Sequence, residues 1–387
     1  MRSLKEQFLL DPNIVFLNHG SFGATPKPVF RAYQEWQLRL EHQPVLFLGR
    51  ELDGLLRESR VELGAYLNAD PDDLVFVPNA THGANIVAHA LHLQSGDEVL
   101  TTDHEYGACD YAWEFNCGRT GANYIHQAIP LPADSDQAIA EQLWKGVTAR
   151  TRVIYLSHIT SPTALRLPVD IICQRARAAG ILTVVDAAHS PGQIPVDLRS
   201  MGADMAFGNC HKWMLNAKGA AFLYVRRNLQ DRIEPLVVSW GSHPTPETTT
   251  GSRFIDILQW TGTKDPSAAL TVPAAIRFMQ EHDWEHVRAE CHRLLRYGLE
   301  QICALTNLTP IYPLDSGFYG QMGTAPLPAC NATLLKKRLY DEYRIEVPLI
   351  DWQDRQFIRI SVQGYNMQDD LDALIAALKA LLPQVAA

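Results

Sequence analysis

The sequence lacks three features that would place it in a specialised class of proteins. It has no apolar run approaching the roughly 20 residues that cross a bilayer, no low-complexity tract and no short-period repeat. These absences argue against a membrane-spanning, disordered or repeat protein. The N-terminal stretch reaches charge at Lys5 and Glu6, unlike a secretory signal peptide. We therefore expect a soluble cytoplasmic protein with no membrane partner.

Cysteine is scarce and basic residues are outnumbered. The seven cysteines contain no C-x-x-C pair, so neither a zinc ribbon nor a thioredoxin-like site is supported, and we expect no bound metal. A disulfide framework is not expected in a chain of 387 residues. Lys and Arg number 34 against 43 Asp and Glu, for a net charge of −9. This balance disfavours general nucleic-acid binding.

An alternation of strand-like and helix-like segments begins near residue 74. The chain is 47% hydrophobic, enough to bury a sizeable core. Short apolar runs rich in β-branched residues predict seven strands, at 74–77, 98–101, 123–129, 153–157, 181–186, 205–208 and 221–225. Their alternation with helical segments is typical of βαβ units. The sequence thus predicts an α/β fold with a mostly parallel seven-stranded sheet.

The pattern changes after the last of these strands. Residues 231–266 are loop-like and a long helix is predicted near 269–303. Short strands follow around 307–311 and 355–361, and helices follow near 332–343 and 368–382. Two further helices precede the sheet, at 28–41 and 50–66. We expect a smaller C-terminal α/β domain, with limits at 1–15 (N-terminal segment), 16–265 (large domain) and 266–387 (small domain).

The residues that follow each strand are candidates for ligand binding, because open parallel sheets bind ligands outside the carboxyl ends of their strands. Thr81 lies in a turn that opens a helix, which can bind an anion or simply be a helix cap. His104 and Tyr106 could stack on a planar ligand or merely pack. Asp186 ends a buried strand, and Lys212 is a candidate desolvated amine, although each also has an ordinary structural explanation.

The order of these groups along one sheet edge is more informative than any one of them. An anion site, flat rings, hydroxyl groups, a buried acid and an activated lysine together match a phosphorylated, planar aldehyde with a cationic ring. Pyridoxal 5'-phosphate (PLP) has these properties. The sequence therefore predicts a PLP site.

Six segments strengthen this prediction, because they resemble the class V aminotransferase family and, within it, the isopenicillin N epimerase-like branch. They are FLNHGSFGATP (16–26), NATHGANIV (79–87), DHEYGA (103–108), SHITSPTALRLPV (157–169), VVDAAHSPGQIPVDL (184–198) and GNCHKW (208–213). The resemblance implies the aspartate-aminotransferase-like fold, known as fold type I. It also implies a homodimer with two sites at the subunit interface.

The same resemblance assigns roles to individual residues. It implies catalytic roles for Lys212 (the Schiff-base lysine), Asp186 (partner of the pyridine nitrogen) and His104 (stacked on the ring). Further cofactor contacts would come from Ala80, Thr81, His82, Tyr106, Ser161, His189, Asn209, His211 and Thr263, the last reaching the other subunit's phosphate. The amino-acid substrate would meet Arg359, through its α-carboxylate, together with Asn18 and His19. Relatives often carry asparagine in place of Ser161, so Thr163 could take over its contact.

The reaction type is left open by the sequence. The branch resemblance implies an amino-acid epimerase or racemase, and a C–S β-lyase acting on a cysteine conjugate or an aminotransferase are the alternatives. A persulfide-forming desulfurase is not expected, because no cysteine follows Cys330. A binding protein on the same fold is disfavoured, because Lys212 and Asp186 are both present.

Overall fold

The computed structural model describes residues 3–386, and it begins with a helical N-terminal region. Its elements are β1 (Val15–Phe16), α1 (His19–Phe22), α2 (Lys27–His42), α3 (Pro44–Leu46), a π-helical turn (Phe47–Glu51) and α4 (Leu52–Leu67). The helices predicted at 28–41 and 50–66 are confirmed as α2 and α4. Helix α4 ends where Asn68 adopts a left-handed conformation with φ of 50°.

The next part of the chain alternates strands and helices. The strands are β2 (Leu74–Val77), β3 (Glu98–Thr102), β4 (Asn123–Gln127), β5 (Thr151–Ser157), β6 (Leu182–Asp186), β7 (Met205–Asn209) and β8 (Ala221–Val225). The helices between them are α5 (Ala80–Ala90), α6 (Gly107–Thr120), α7 (Asp136–Trp144), α8 (Val169–Ala178) and α9 (Leu198–Met201). The seven predicted strands are confirmed, with small shifts at their ends.

These strands form one sheet in the order β2-β8-β7-β6-β5-β3-β4. Strand β8 is antiparallel to both of its neighbours, and the remaining pairs are parallel. The interior strands are buried almost throughout because helices cover both faces of the sheet. The edge strand β4, with the sequence NYIHQ, is largely exposed. The carboxyl ends of β3, β5, β6 and β7 therefore meet along one edge.

The C-terminal part differs in detail from the sequence prediction. It contains α10 (Arg253–Gln259), α11 (Ser267–Leu270), α12 (Val272–Glu281), α13 (Trp284–Thr306), β9 (Met322–Leu327), α14 (Ala332–Tyr343), β10 (Ile345–Glu346), β11 (Leu349–Trp352), β12 (Arg355–Ser361) and α15 (Gln368–Leu381). Strands β11, β12 and β9 form an antiparallel sheet in that order.

Three predictions in this region were wrong. The single long helix at 269–303 is broken into α11, α12 and α13, and the break before α13 occurs where Asp283 has φ of 47° and its side chain caps that helix. No strand forms at 307–311, where Asn307 ends α13 with φ of 54°. The region 231–266, expected as loop, contains α10.

The N-terminal strand is hydrogen bonded to the C-terminal region. Strand β1 pairs in parallel with β10, and the Ser361 amide donates to the Leu17 carbonyl at 2.9 Å. This contact brings the segment after β1 close to β12. The domain limits at residues 15 and 265 stay a prediction.

Two further properties of residues 3–386 concern membranes and metals. No helix in this range combines the length and apolar character needed to cross a bilayer. The same part of the chain contains no group of three or more His, Cys, Asp or Glu side chains placed to hold a metal ion.

Candidate functional site

Lys212 lies in the turn after β7, beside two ring side chains. Its Nζ is 3.1 Å from His189 Nε2 and 6.0 Å from the centroid of the Tyr106 ring. Burial lowers the pKa of Lys212 to about 8, although the nearby Asp186 acts in the opposite direction. At pH 7 about a tenth of this amine is therefore uncharged and nucleophilic, far more than for an ordinary lysine.

Asp186 ends strand β6 and is buried. Its carboxylate accepts a hydrogen bond from the Ala188 amide at 2.7 Å, and the Cys109 thiol lies 3.6 Å from Oδ2. Burial raises the pKa of Asp186 above its ordinary value, while the Ala188 hydrogen bond and the charge of Lys212 lower it. A cationic ligand group beside Asp186 would favour its ionised form.

His189 connects Lys212 to the aromatic residue that follows it. His189 Nδ1 lies 3.2 Å from the indole nitrogen of Trp213, and Nε2 faces Lys212 Nζ. Burial, followed by the positive charge of Lys212, holds the pKa of His189 well below its usual range. His189 is therefore a neutral ring in contact with the amine.

His104 and Tyr106 differ in how accessible their side chains are, and the stacking of His104 on a cofactor stays a prediction. His104 is fully buried, with Nδ1 2.8 Å from Thr163 Oγ1 and Nε2 2.8 Å from the Ile129 carbonyl, and its ring packs against Trp352 at 4.4 Å. A side chain with no accessible surface cannot stack on a ligand that enters from solvent unless a neighbour moves. The Tyr106 ring is 46% exposed and lies near Lys212, so it is the ring available for stacking.

The helix α5 N-terminus is where the sequence predicts an anion site, and two of its amides already have partners. The Ala80 amide donates to Asn209 Oδ1 at 2.9 Å, and the His82 amide donates to Asn79 Oδ1 at 2.8 Å. Burial, followed by the positive charge of Lys264, lowers the pKa of His82. A phosphate here would contact Thr81 and compete with Asn79 for the His82 amide.

Arg359, in strand β12, is a buried guanidinium without an anion. Its Nη1 donates to the Ser161 carbonyl at 2.6 Å and to Ser161 Oγ at 3.1 Å, and its Nη2 donates to Ser21 Oγ at 3.3 Å. Burial lowers the pKa of Arg359 to about 10. Across residues 3–386 no carboxylate lies within ion-pair distance of it, and its buried Nε has no hydrogen-bond partner. This arrangement suits a bidentate carboxylate ligand.

Asn18 is linked to Arg359 through Ser21, and it also contacts Glu346; neither of these two partners was singled out from the sequence. The Ser21 hydroxyl donates to Asn18 Oδ1 at 2.6 Å, and Asn18 Nδ2 donates to Glu346 Oε1 at 3.0 Å. Ser21 lies inside the NHGSFG segment, whose resemblance was the available signal. Glu346 was missed because it lies 328 residues away from Asn18.

His19 has a different place from the one expected. It is fully buried, with Nε2 3.1 Å from the Lys212 carbonyl and Nδ1 3.0 Å from the Tyr365 hydroxyl. Burial lowers its pKa to about 3, so it is a neutral side chain that holds the backbone of Lys212. The structure thus places His19 against the Lys212 backbone, and its contact with substrate stays a prediction.

The remaining predicted residues divide between this site and a second cavity. Ser161 contacts Arg359, whereas Thr163 is buried against His104 and Thr160. His211 is adjacent to Lys212, and its buried Nδ1 has no partner among residues 3–386. Thr263 lines a separate cavity of about 480 Å³ with Val45 and Trp240.

Glu105, between His104 and Tyr106 in the sequence, is a buried acid that the sequence did not identify as a site residue. Its carboxyl group contacts the Thr102 hydroxyl at 2.6 Å, the Ser157 amide at 2.9 Å and the Ser157 hydroxyl at 2.6 Å. Burial raises the pKa of Glu105 to about 8. Its position in DHEYGA was the only signal, and nothing in that pattern distinguished it from an exposed turn residue.

The residues present fit the predicted cofactor. A partly deprotonated lysine, a buried acid and an exposed ring lie together, and the buried Arg359 Nε and His211 Nδ1 have no partner in the part of the chain described. PLP requires an amine that bonds its aldehyde, an acid that pairs with its ring nitrogen and polar groups that hold its anionic parts.

Comparisons with known proteins bear on the fold and the cofactor. A family model for class-V aminotransferases matches residues 15–374. An isopenicillin N epimerase of Amycolatopsis lactamdurans is 34% identical, over 97% of this chain and 97% of its own. A probable chloroplastic L-cysteine desulfhydrase of Arabidopsis thaliana is 28% identical, over 96% of this chain and 84% of its own. The apo structure of a cysteine desulfurase from Thermococcus onnurineus superposes with a TM-score of 0.84 at 20% identity, covering 100% of this chain and 99% of that one. The predicted aspartate-aminotransferase-like fold is confirmed.

Proposed function

This chain belongs to the class-V aminotransferase family, and on that premise we propose that it is a PLP-dependent enzyme acting at the α-carbon of an amino acid. The observation that carries the proposal is the partly buried Lys212 amine, in contact with His189 and electrostatically coupled to the buried Asp186. Epimerisation is the reaction we favour, since the isopenicillin N epimerase matches at 34% identity over 97% of both chains.

We assign the cofactor to the residues along the sheet edge. When bound, PLP supplies an aldehyde that bonds an amine and a cationic ring that withdraws electrons from the substrate. Lys212 would bond the aldehyde, Asp186 would pair with the ring nitrogen, and Tyr106 would cover the ring. Thr81, His82 and His211 would hold the phosphate.

Arg359 would hold the substrate α-carboxylate. Its guanidinium is already fixed by Ser161 and Ser21, so little side-chain entropy is lost when an anion binds. Lys212, with a pKa of about 8, can both accept and return a proton near neutral pH, which is what proton exchange at the α-carbon needs.

A C–S β-lyase acting on a cysteine derivative is the second candidate. The match to an L-cysteine desulfhydrase favours it, because that reaction begins with the same removal of the α-proton. The loop before Arg359 contains no cysteine, and this argues against a reaction that stores sulfur as an enzyme persulfide.

We also propose that the protein is a homodimer with each site at the interface. Exposed apolar side chains surround the cavity that Thr263 lines, with Trp240 82% and Val45 75% exposed. Monomers rarely leave such side chains grouped in solvent. All seven cysteines are free and buried, which supports the further proposal of a reducing compartment such as the cytoplasm.

The test uses the purified chain loaded with PLP, incubated in deuterated water with amino acids and cysteine conjugates. α-Deuterium with inverted configuration supports the epimerase, and pyruvate release supports the lyase. The Lys212→Ala variant should lose the visible absorbance of lysine-bound PLP, whereas Lys145→Ala, at an exposed lysine, should keep it. A Lys212→Ala protein that retained the absorbance would overturn the cofactor assignment.

A further inference from the structure

Two contacts of His189 define which of its ring nitrogens carries the proton. Trp213 Nε1 lies 3.2 Å from Nδ1, and Lys212 Nζ lies 3.1 Å from Nε2. An indole nitrogen only donates hydrogen bonds, so Nδ1 must accept. In a neutral imidazole the remaining ring proton is then on Nε2.

The ring is neutral because its surroundings disfavour a second proton. His189 is buried, and the charged or titratable groups that face it are Lys212, Arg359, His19 and His211. Each of them that carries charge is a cation, so both burial and charge act against an imidazolium. Trp213 itself is fully buried, with its ring 4.9 Å from His19, so its indole is held in place.

We propose that Trp213 is a positioning residue that sets the tautomer of His189, so that an Nε2–H bond rather than a lone pair faces Lys212 Nζ. The alternative tautomer would point two N–H bonds at each other in the buried contact between Trp213 and His189. No neighbouring water could relieve that clash, because both side chains have almost no accessible surface.

This tautomer has a consequence for Lys212. An Nε2–H can donate to the lone pair of an uncharged amine, but it opposes the N–H bonds of an ammonium group. It therefore favours the nucleophilic form of Lys212. The same N–H would donate to an electronegative ligand atom next to that amine. This consequence rests on the proposed function, whereas the assignment of the tautomer is independent of it.

The first test measures the tautomer directly. Long-range nitrogen–proton correlation spectra of the full chain with ¹⁵N-labelled histidine distinguish protonated from bare ring nitrogens, and His189 is assigned by its loss in His189→Gln. The cofactor-free and PLP-loaded chains should both show a protonated Nε2 and a bare Nδ1. A His189 signal protonated at Nδ1 in the unaltered chain would overturn the inference.

The second test removes the donor. In Trp213→Phe the ring of His189 should populate both tautomers, and Lys212 in the cofactor-free chain should become more basic. A rise of one pKa unit would slow acylation of Lys212 at neutral pH by about tenfold, measured by peptide mass spectrometry. Trp113→Phe is the matched control, since Trp113 is equally buried but its indole nitrogen has no partner within residues 3–386. Unchanged tautomer and labelling in a folded Trp213→Phe protein would refute the role of Trp213.

The two proposals fail separately. If the chain bound no PLP but His189 carried its proton on Nε2, the proposed function would be wrong and this inference would stand. If Lys212 bound PLP while His189 was protonated on Nδ1, only the role of Trp213 would be wrong.

Discussion

At the residue scale, Arg359 combines burial, fixed geometry and an unpaired charge. Its two terminal nitrogens are held by Ser161 and Ser21, and burial lowers its pKa to about 10, so it remains charged at neutral pH. A charge in this environment favours a carboxylate ligand strongly, because the ligand removes the cost of leaving it unpaired.

The Arg359→Lys variant should weaken substrate binding more than turnover. An ammonium group cannot reproduce the planar pair of donors, so KM should rise about tenfold or more, equivalent to roughly 1.4 kcal/mol, with a smaller change in kcat. Steady-state kinetics on the proposed α-amino acid substrate measures both values.

Arg355→Lys on the same strand is the control, because Arg355 lies over Phe357 at 5.0 Å and has no assigned contact with substrate. A substrate analogue that keeps the amine but lacks the carboxylate should bind the wild type and Arg359→Lys equally. Equal KM values for the wild type and Arg359→Lys would remove Arg359 from the substrate site.

Glu105 provides a second prediction at this scale, about stability and pH. Burial raises its pKa to about 8 from an ordinary value of 4.5, so the folded state binds this proton more tightly than the unfolded chain does. The stabilisation is complete below about pH 4.5 and is lost as pH rises through about 8.

The Glu105→Gln variant should remove that pH dependence. The slope of the free energy of unfolding between about pH 5 and 8 should become less negative by roughly 1.4 kcal/mol per pH unit. Urea unfolding at several pH values, with both proteins in the same cofactor state, measures it. Parallel curves for the two proteins would show that Glu105 is ionised in the fold.

At the scale of elements, the NHGSFG segment supports the loop that carries Lys212. Gly23 has φ of 70°, and a Cβ atom there would lie 2.0 Å from the His211 carbonyl oxygen. His19, in the same segment, contacts the Lys212 carbonyl. The segment therefore packs against the backbone of His211 and Lys212.

The Gly23→Ala variant should be strongly destabilised. Overpacking against backbone and strain at positive φ together should cost about 3 kcal/mol or more, and PLP affinity should fall because the Lys212 loop is displaced. Denaturant unfolding and PLP titration measure the two effects.

Gly96→Ala is the matched control, since Gly96 also has positive φ, 85°, but a Cβ atom there would meet no other atom within 4 Å. That variant should lose only about 1 kcal/mol. Equal losses at the two glycines would mean that backbone strain alone, and not contact with the Lys212 loop, decides the cost.

The elements also show where sequence patterns were sufficient. Strands β2, β3 and β5 to β8 were found because a buried strand is a short apolar run between turns, a local property. Strand β9, MGTAPL, was missed because glycine and proline weaken that pattern, and its pairing with β12 makes up for them only in the fold. The breaks between α11, α12 and α13 were missed because the apolar spacing continues across them.

At the scale of the whole molecule, Thr263 lines a cavity that does not include Lys212, and this separation concerns how two subunits would assemble. Within one chain it lines a cavity with Trp240, whose indole is 82% exposed. If Thr263 serves the phosphate of the partner subunit, as we propose, each site takes Lys212 from one chain and Thr263 from the other.

Mixed dimers test that arrangement. Lys212→Ala and Thr263→Asp homodimers should both be nearly inactive, since the first lacks the amine and the second adds charge beside phosphate. Mixing them should restore one intact site per mixed dimer, giving about a quarter of wild-type activity when the subunits pair at random. Tagged co-purification and activity assays measure the recovery.

The control is a mixture of Lys212→Ala with Arg359→Ala, whose target residues lie in the same site of one chain. That mixture should restore no site. If the mixture with Thr263→Asp also stayed inactive although mixed dimers formed, Thr263 would act within its own subunit or not at all.

The sequence by itself determined the family, the sheet and the residues at the strand ends, because each depends on local patterns of apolar residues and on short motifs. Lys212, Asp186 and Arg359 could be named from those motifs alone. Only the tertiary structure decided that His104 and His19 are buried and Tyr106 is exposed, since exposure depends on side chains that are distant in sequence. Trp352 lies 248 positions after His104 and covers its ring, which leaves Tyr106 as the ring that faces Lys212.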